Sequence, residues 1–447
     1  MNKIILPTHS AMLKADYIFG VATSSFQIEG ERRGRCESIW DRFCEHDGAI
    51  KDSSNGDIAC EHVSRWQQDV ELITSLGVDA YRLSISWPRV MNDDGTVNDA
   101  GLSFYQQLVD ALVVKGLKVF VTLYHWDLPQ ALEDKGGWLN RETAVAFARY
   151  TEVVCKALGD KVYAYTTLNE PFCSAHLGYE LGIHAPGLRS QAAGRQAAHH
   201  LLLAHGLAMQ VLRAHCPNSL HGVVLNFANA DPVSTAHCDV EAAKIADDYC
   251  NHWYIKPILE GQYPDLLAQL PRDVQPDMLA GDLEIIAAPI DYLGVNYYTR
   301  NIYQSDGNGW YEQVEPKAET LTTMGWEVVP DSFCALLREL HAEYQLPPLY
   351  ITENGAAFDD KMENGEVLDV QRLAYFQSHL LAVNQAMEQG VDIRGYFAWS
   401  LMDNFEWAEG YTQRFGIVHV DYHTQQRTLK ASAKAYQTML LERKSSV

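Results

Sequence analysis

The sequence predicts a single (β/α)8 barrel, an α/β TIM barrel with long βα loops, over residues 1–447. Three observations predict it. Eight short apolar, β-branched or aromatic runs recur along the 447 residues. Most lack polar alternation, as strands buried on both faces do. Helical patterns lie between them, and no Pro-rich or Gly/Ser-rich linker divides the chain. Eightfold strand–helix alternation points to a parallel sheet. It favours a closed barrel over an open doubly wound sheet.

The runs span 19–23, 80–85, 119–124, 163–168, 222–227, 292–297, 349–352 and 393–399. After the first, Trp66, Val70, Ile73 and Leu76 fall at helical spacing before Gly77, a C-terminal stop. After the second, Phe104, Leu108, Leu112 and Lys115 do so before Gly116. After the third, Phe147, Tyr150, Val154 and Leu158 precede Gly159. Segments 44–55 and 305–323 are irregular and read as long loops. His199, His200 and His205 lie in an Ala- and Leu-rich helical stretch, where packing is favoured over metal binding.

Composition narrows the partners. The chain carries 58 Asp+Glu against 35 Lys+Arg, a net charge of −23. Nucleic-acid backbones and anionic membranes both need a cationic surface, so neither is expected. No stretch approaches the ~20 apolar residues of a membrane span. The nine cysteines include no C-x-x-C pair, against a zinc ribbon or thioredoxin-type centre. No N-x-S/T acceptor occurs, and residues 1–14 hold only a short apolar patch at 4–7. No signal peptide is expected, and a reducing cytoplasm is.

Enzymes on such barrels work at the C-terminal strand ends. His125, Trp126 and Asp127 follow the third run, Asn169-Glu170-Pro171 the fourth, and Asn296-Tyr297-Tyr298 close the sixth. Glu353-Asn354-Gly355 follow the seventh, Trp399-Ser400 the eighth, and Arg82 lies within the second. Pro171 disfavours the helical region for Glu170, which predicts an extended strand end there. Asn354-Gly355 is a turn signal that puts Glu353 at a strand end too. Two carboxyl groups facing each other across a barrel mouth suit glycoside hydrolysis, one as acid and the other as nucleophile or charge stabiliser. They also suit metal binding or structural ion pairing. Trp399, Asn404, Glu406 and Trp407 add indoles and polar groups of the kind sugars stack on and bond to. A phosphate loop, H-E-x-x-H and G-x-S-x-G are absent.

At this point the sequence resembles glycoside hydrolase family 1, the β-glucosidase family, from about residue 17 to 434. The matching motifs are Tyr-Ile-Phe-Gly-Val-Ala-Thr-Ser-Ser-Phe-Gln-Ile-Glu-Gly at 17–30, Tyr-His-Trp-Asp-Leu-Pro at 124–129 and Thr-Leu-Asn-Glu-Pro at 167–171. Ile-Thr-Glu-Asn-Gly at 351–355 and Trp-Ser-Leu-Met-Asp-Asn-Phe-Glu-Trp at 399–407 complete the set. The resemblance implies a retaining, exo-acting β-glucosidase that tolerates β-galactosides or β-fucosides. It implies Glu353 as nucleophile and Glu170 as acid, then base. Asn169 would bind the sugar 2-hydroxyl, and Gln27, His125 and Trp407 the 3- and 4-hydroxyls. Glu406 would bind the 4- and 6-hydroxyls, and Trp399 would floor the ring. Arg82 and Tyr298 would orient Glu353, with Asn296 supporting the pair. No metal or organic cofactor is implied. The expected partners are small β-glycosides or short β-linked oligosaccharides; homo-oligomerisation stays open.

Two departures bear on specificity. Phe172, followed by Cys173, stands directly after Asn169-Glu170-Pro171, where the family often has Trp near the leaving-group site. Glu406 and Trp407 replace the Ser and Lys clamp of the phospho-β-glycosidase branch, which disfavours a 6-phosphate. Competing readings are a transglycosylase, a non-catalytic sugar-binding protein and a metal-dependent barrel.

Overall fold

All eight predicted runs form strands in the computed structural model, which describes residues 3–318 and 320–445. Met1, Asn2, Glu319, Ser446 and Val447 lie outside the described residues, so the expectation of no signal peptide and the predicted loop and domain limits that touch them stay expectations. The strands are β1 (Ile18–Ala22), β2 (Ala80–Ser84), β3 (Lys118–Tyr124), β4 (Ala164–Asn169), β5 (Leu220–Phe227), β6 (Tyr292–Tyr297), β7 (Leu349–Asn354) and β8 (Ile393–Trp399). Each pairs in parallel with its sequence neighbours, and β1 pairs with β8 to close the barrel. Closure removes both sheet edges, so an open doubly wound sheet is excluded.

The predicted helices form where the glycines stop them. They are α1 (His62–Ser75), α2 (Asp99–Val114) and α3 (Arg141–Leu158). Gly77, Gly116 and Gly159 all take positive φ just beyond them, which a side chain would resist. The histidine-rich stretch is the long helix α4 (Gln191–His215). Its histidines bond to neighbouring elements: His199 to Tyr263 and Asp282, His200 to the Trp138 carbonyl, His205 to Thr167. No helix among the described residues is long and apolar enough to cross a membrane.

The lower barrel is plugged with aromatic rings. Phe120, Tyr292, Tyr350 and Phe397 point inward from β3, β6, β7 and β8, and ring centroids lie 4.8 Å apart for Phe120–Phe397 and 5.4 Å for Phe120–Tyr350. This layer is a packed core, not a pore.

One loop expectation needs correction. Segment 305–323 contains the strand Tyr311–Val314, antiparallel to Asn301–Ser305. The latter also pairs with Ala230–Pro232, giving a three-stranded sheet outside the barrel. Asp306-Gly307-Asn308-Gly309 is the tight turn between them, with both glycines at positive φ.

Candidate active site

The two carboxylates reach the barrel interior because both of their strands are bulged. On β4, Thr166 pairs with Gly222 and Asn169 with Val224, so β4 holds one extra residue. Thr166 bonds Tyr292 inside the barrel, Thr167 bonds His205 on α4, and Leu168 joins the outer core. Strict alternation would then send Asn169 outward; the bulge turns it back in. On β7, Ile351 pairs with Val295 and Glu353 with Asn296, again one extra residue. Thr352 donates to Asn296 inside, and Glu353 also faces inward instead of outward.

Glu170 departs from the predicted extended conformation. It sits one residue past β4 with φ +47°, in the left-handed region. Its N–H still reaches the Val224 carbonyl at 2.9 Å, and its own carbonyl accepts the Cys173 N–H at 2.9 Å. A strand-type bond on one side and a helical turn from Pro171 on the other leave only a sharp reversal at Glu170. Such a backbone costs about 1–3 kcal/mol. Trp126 and Trp407, also at the site, share positive φ. The turn expected at Gly355 has another cause. A Cβ there would lie 1.7 Å from the Trp399 carbonyl oxygen, so glycine permits close approach of β7 and β8.

A continuous chain of hydrogen bonds joins the carboxyl groups. Arg82, only 1% exposed, donates to Glu353 Oε1 at 2.6 Å and to Asn169 Oδ1 at 2.6 Å. Asn296 Nδ2 donates to Asn169 Oδ1 at 3.1 Å and to Glu170 Oε1 at 2.6 Å. Tyr298 donates to Glu353 Oε2 at 2.5 Å. Cys173 Sγ lies 3.2 Å from Glu170 Oε2. Glu353 is therefore gripped by a guanidinium and a phenol, whereas the direct donors to Glu170 are an amide and a thiol. Burial first, then the nearby Glu353 charge, push the Glu170 carboxyl up to about 8.

The sugar-type residues gather on the opposite wall. His125 stacks between Trp399 and Trp407, with centroids 5.9 and 6.0 Å away and both interplanar angles 12°. Its Nε2 faces Asn169 Nδ2 at 3.2 Å, and its buried Nδ1 has no partner among the described residues. Asn169 donates there because its Oδ1 is taken by Arg82, which can only donate. The His125 proton is thereby assigned to Nδ1. Burial and Arg82 hold this imidazole neutral, well below its ordinary pKa. Gln27 Nε2 ties the loop together, donating to Asn404 Oδ1 at 2.9 Å and Glu406 Oε2 at 3.3 Å. Below the loop, Asp403 accepts from buried Lys430 at 2.7 Å and from Arg414 at 2.5 Å. Burial, then Glu353, push Glu406 up to about 8 as well.

A cavity of about 480 Å³ opens between these walls. Glu170, Glu353, His125, Tyr298, Trp399, Glu406 and Trp407 line it. Gln27, Arg82, Asn169 and Asn296 stand behind the lining and hold it in place. Sequence reasoning gave Trp126 no role and missed His184, Met324 and Trp326, all of which also line it. Trp126 was visible at the third strand end. Met324-Gly325-Trp326 lies far from any strand end and carries no such signal.

The family model for glycosyl hydrolase family 1 matches residues 9–445. The chain belongs to that family. It is a glycoside hydrolase. A β-glucosidase of an Agrobacterium species is 44% identical, covering 97% of this chain and 96% of the relative. A bifunctional β-D-glucosidase/β-D-fucosidase of Bifidobacterium breve is 42% identical over 95% of this chain and 97% of its own length. The solved structure of a Thermotoga maritima β-glucosidase in complex with deoxynojirimycin is 42% identical and superposes with a TM-score of 0.93, covering 96% of this chain and 98% of that one.

Proposed function

We propose that this chain is a retaining exo-β-glycosidase, a β-glucosidase, with Glu353 as nucleophile and Glu170 as acid/base. One observation carries the reading. Two buried carboxyl groups share one cavity, and their donors differ as the two roles require. Glu353 attacks the anomeric carbon while Glu170 gives its proton to the glycosidic oxygen. The carbon–oxygen bond to the aglycone breaks, and Glu353 becomes a glycosyl ester. Its negative charge is gone, so the repulsion that raised Glu170 is relieved. Glu170, now a carboxylate, takes a proton from water as the water oxygen attacks the same carbon. The ester breaks, Glu353 leaves as a carboxylate, and Glu170 is protonated again.

His125 and Trp407 take the 3- and 4-hydroxyls from the lining, while Gln27, directed to the same hydroxyls, and Asn169, directed to the 2-hydroxyl, exchange a present hydrogen bond for the sugar's. Trp399 supports the ring and Glu406 takes the 4- and 6-hydroxyls. Four carboxyl groups line the cavity and no Lys or Arg does among the described residues, which supports neutral sugars over 6-phosphates. The relative named for both glucoside and fucoside hydrolysis supports tolerance at the 4- and 6-positions. Phe172, Leu177, Ile183, Met324 and Trp326 give the leaving-group side an apolar wall. Cellobiose and aryl β-glucosides both fit this scheme. All nine cysteines are unpaired, which supports a reducing compartment such as the cytoplasm.

The test is release of p-nitrophenol from its β-D-glucoside at about pH 6–7, with Glu353→Gln as the comparison. The variant should lose at least about 10⁴-fold. Equal activity in both would remove Glu353 from the reaction. NMR of the first sugar released should show the β-anomer; an α-anomer would overturn retention.

A further inference from the structure

We infer that Cys173 is a positioning residue for Glu170: its thiol hydrogen bond singles out the carboxyl oxygen that carries the catalytic proton and sets the pH at which that proton is lost. This rests on the acid/base role proposed above for Glu170.

The assignment follows from donors that cannot act as acceptors. Arg82 only donates, so Asn169 Oδ1 is an acceptor, and Asn296 must turn Nδ2 toward it. The same Nδ2 faces Glu170 Oε1 at 2.6 Å, and Thr352 donates to Asn296 Oδ1. Glu170 Oε1 therefore always meets an N–H, which favours its carbonyl form and disfavours the acid proton there. That proton belongs to Oε2, whose hydrogen-bond partner is Cys173 Sγ at 3.2 Å. A thiol is both a weak donor and a weak acceptor, so it tolerates either state of Oε2. When Glu170 is a carboxylate, the S–H donates to it. When Glu170 is an acid, the thiol turns aside.

The local backbone builds this contact. Cys173 lies three residues after Glu170, and its N–H closes the turn on the Glu170 carbonyl. Cys173 then opens the π-helical segment Cys173–Glu180, an uncommon element often found at functional sites. Both side chains line the cavity, and Cys173 is 8% exposed. Burial and the Glu170 charge hold the thiol well above its ordinary pKa, so it keeps its hydrogen throughout. Among the charged groups that act on Glu170, Glu353 raises its pKa while Arg82 lowers it.

The experiment is the pH profile of kcat/KM on p-nitrophenyl β-glucoside for the parent, Cys173→Ala, Cys173→Ser and Glu170→Gly. The alkaline limb of this profile reports the free enzyme's acid. Cys173→Ala removes a donor to the carboxylate and should move that limb up by roughly half a pH unit. Cys173→Ser keeps a donor, a stronger one, and should leave the limb at or below the parent position. A limb unmoved in Cys173→Ala, with rates lowered equally at every pH, would reduce Cys173 to packing and overturn the inference. An upward shift in Cys173→Ser would overturn it too, and this reading stands even if Cys173→Ala does not fold. If Glu170→Gly kept the limb, the acid assignment would fall and this inference with it. If Glu170→Gly lost the limb and the Cys173 variants did not move it, only this inference would fall.

Discussion

The lower and upper halves of this barrel obey different rules. Below, the strands pair in regular register apart from one shift between β7 and β8 at Leu349 and Tyr350, and alternate residues meet in an aromatic plug around Phe120 and Tyr350. Above, β4 and β7 are bulged, Glu170 and Trp407 take left-handed backbone, Arg82 and Glu353 are charged yet buried, and Glu406 is ionisable yet only partly exposed. The lower half satisfies nearly every local preference at once. The upper half breaks several and holds them broken through a connected hydrogen-bond chain. Strain and buried charge are concentrated where chemistry is expected, and the regular half supplies the stability that offsets them. The pair of carboxylates shows the same division in miniature. Glu353 is carried on a strand and held by a cation; Glu170 is carried on a turn and held by neutral groups.

The sharpest break in that comparison is Glu170→Gly. Removing the acid/base should lower kcat on p-nitrophenyl β-glucoside by about 10²–10⁴-fold, the range of general acid–base catalysis, because hydrolysis of the glycosyl ester loses its base. Azide is a nucleophile that needs no base, so it should intercept the glycosyl-enzyme and restore turnover. Attack on the ester from the vacated side would give a β-glycosyl azide. Gas chromatography or NMR of the product checks this. An α-azide would mean that azide had displaced the aglycone directly, in place of a missing nucleophile, so that Glu170 and not Glu353 held that role. The variant should fold at least as well as the parent, because glycine relaxes φ +47° and a buried carboxyl is gone.

The opposite result is expected below. Phe120 is fully buried and packs on Tyr163, Tyr292, Tyr350 and Phe397. Phe120→Ala should cost about 3–5 kcal/mol in urea unfolding. Its kcat/KM per folded molecule should change little, since no bulge or hydrogen bond of the upper chain is touched. A collapse of kcat/KM in fully folded protein would show that the two halves are not separable.

The sequence revealed the regular half almost completely. Runs such as 119–124 and 292–297 are continuous apolar strands, and Gly77, Gly116 and Gly159 mark real helix ends. The site was legible as a set of residue types at strand ends. Its geometry was not, because a bulge is one extra residue in a pairing and leaves no mark in a single strand. Counting by twos from Tyr350 places Glu353 on the wrong face. Glu170 was misread for a related reason. Proline restricts its neighbour toward extended backbone, but the Val224 bond and the Cys173 turn, both tertiary, override that preference. Trp326 was missed because it reaches the cavity from a long loop, where spacing carries no information.

The smallest effect separates the cost of burying charge from its use. Glu406 is pushed up to about 8 from an ordinary value of 4.5, by burial and then by Glu353. The folded protein thus holds this proton more tightly than the unfolded chain. Below pH 4.5 both states are protonated, and the stability contribution is fully present. As pH rises from 4.5 towards about 8, the unfolded chain ionises freely while the folded one resists, so stability is lost. Glu406→Gln keeps the side-chain shape and an acceptor for Gln27 but cannot ionise. Its Tm should match the parent near pH 4.5 and exceed it by about 1–3 °C above pH 8. Glu170 titrates with the same sign and stays in both proteins, so the difference between the two melting curves isolates Glu406. Parallel curves across this range would show that Glu406 is ionised at no cost, and the upper half would then be less strained than its buried carboxyls imply. If the curves diverge while the variant also loses preference for glucosides over fucosides, the same carboxyl both destabilises the fold and reads the sugar.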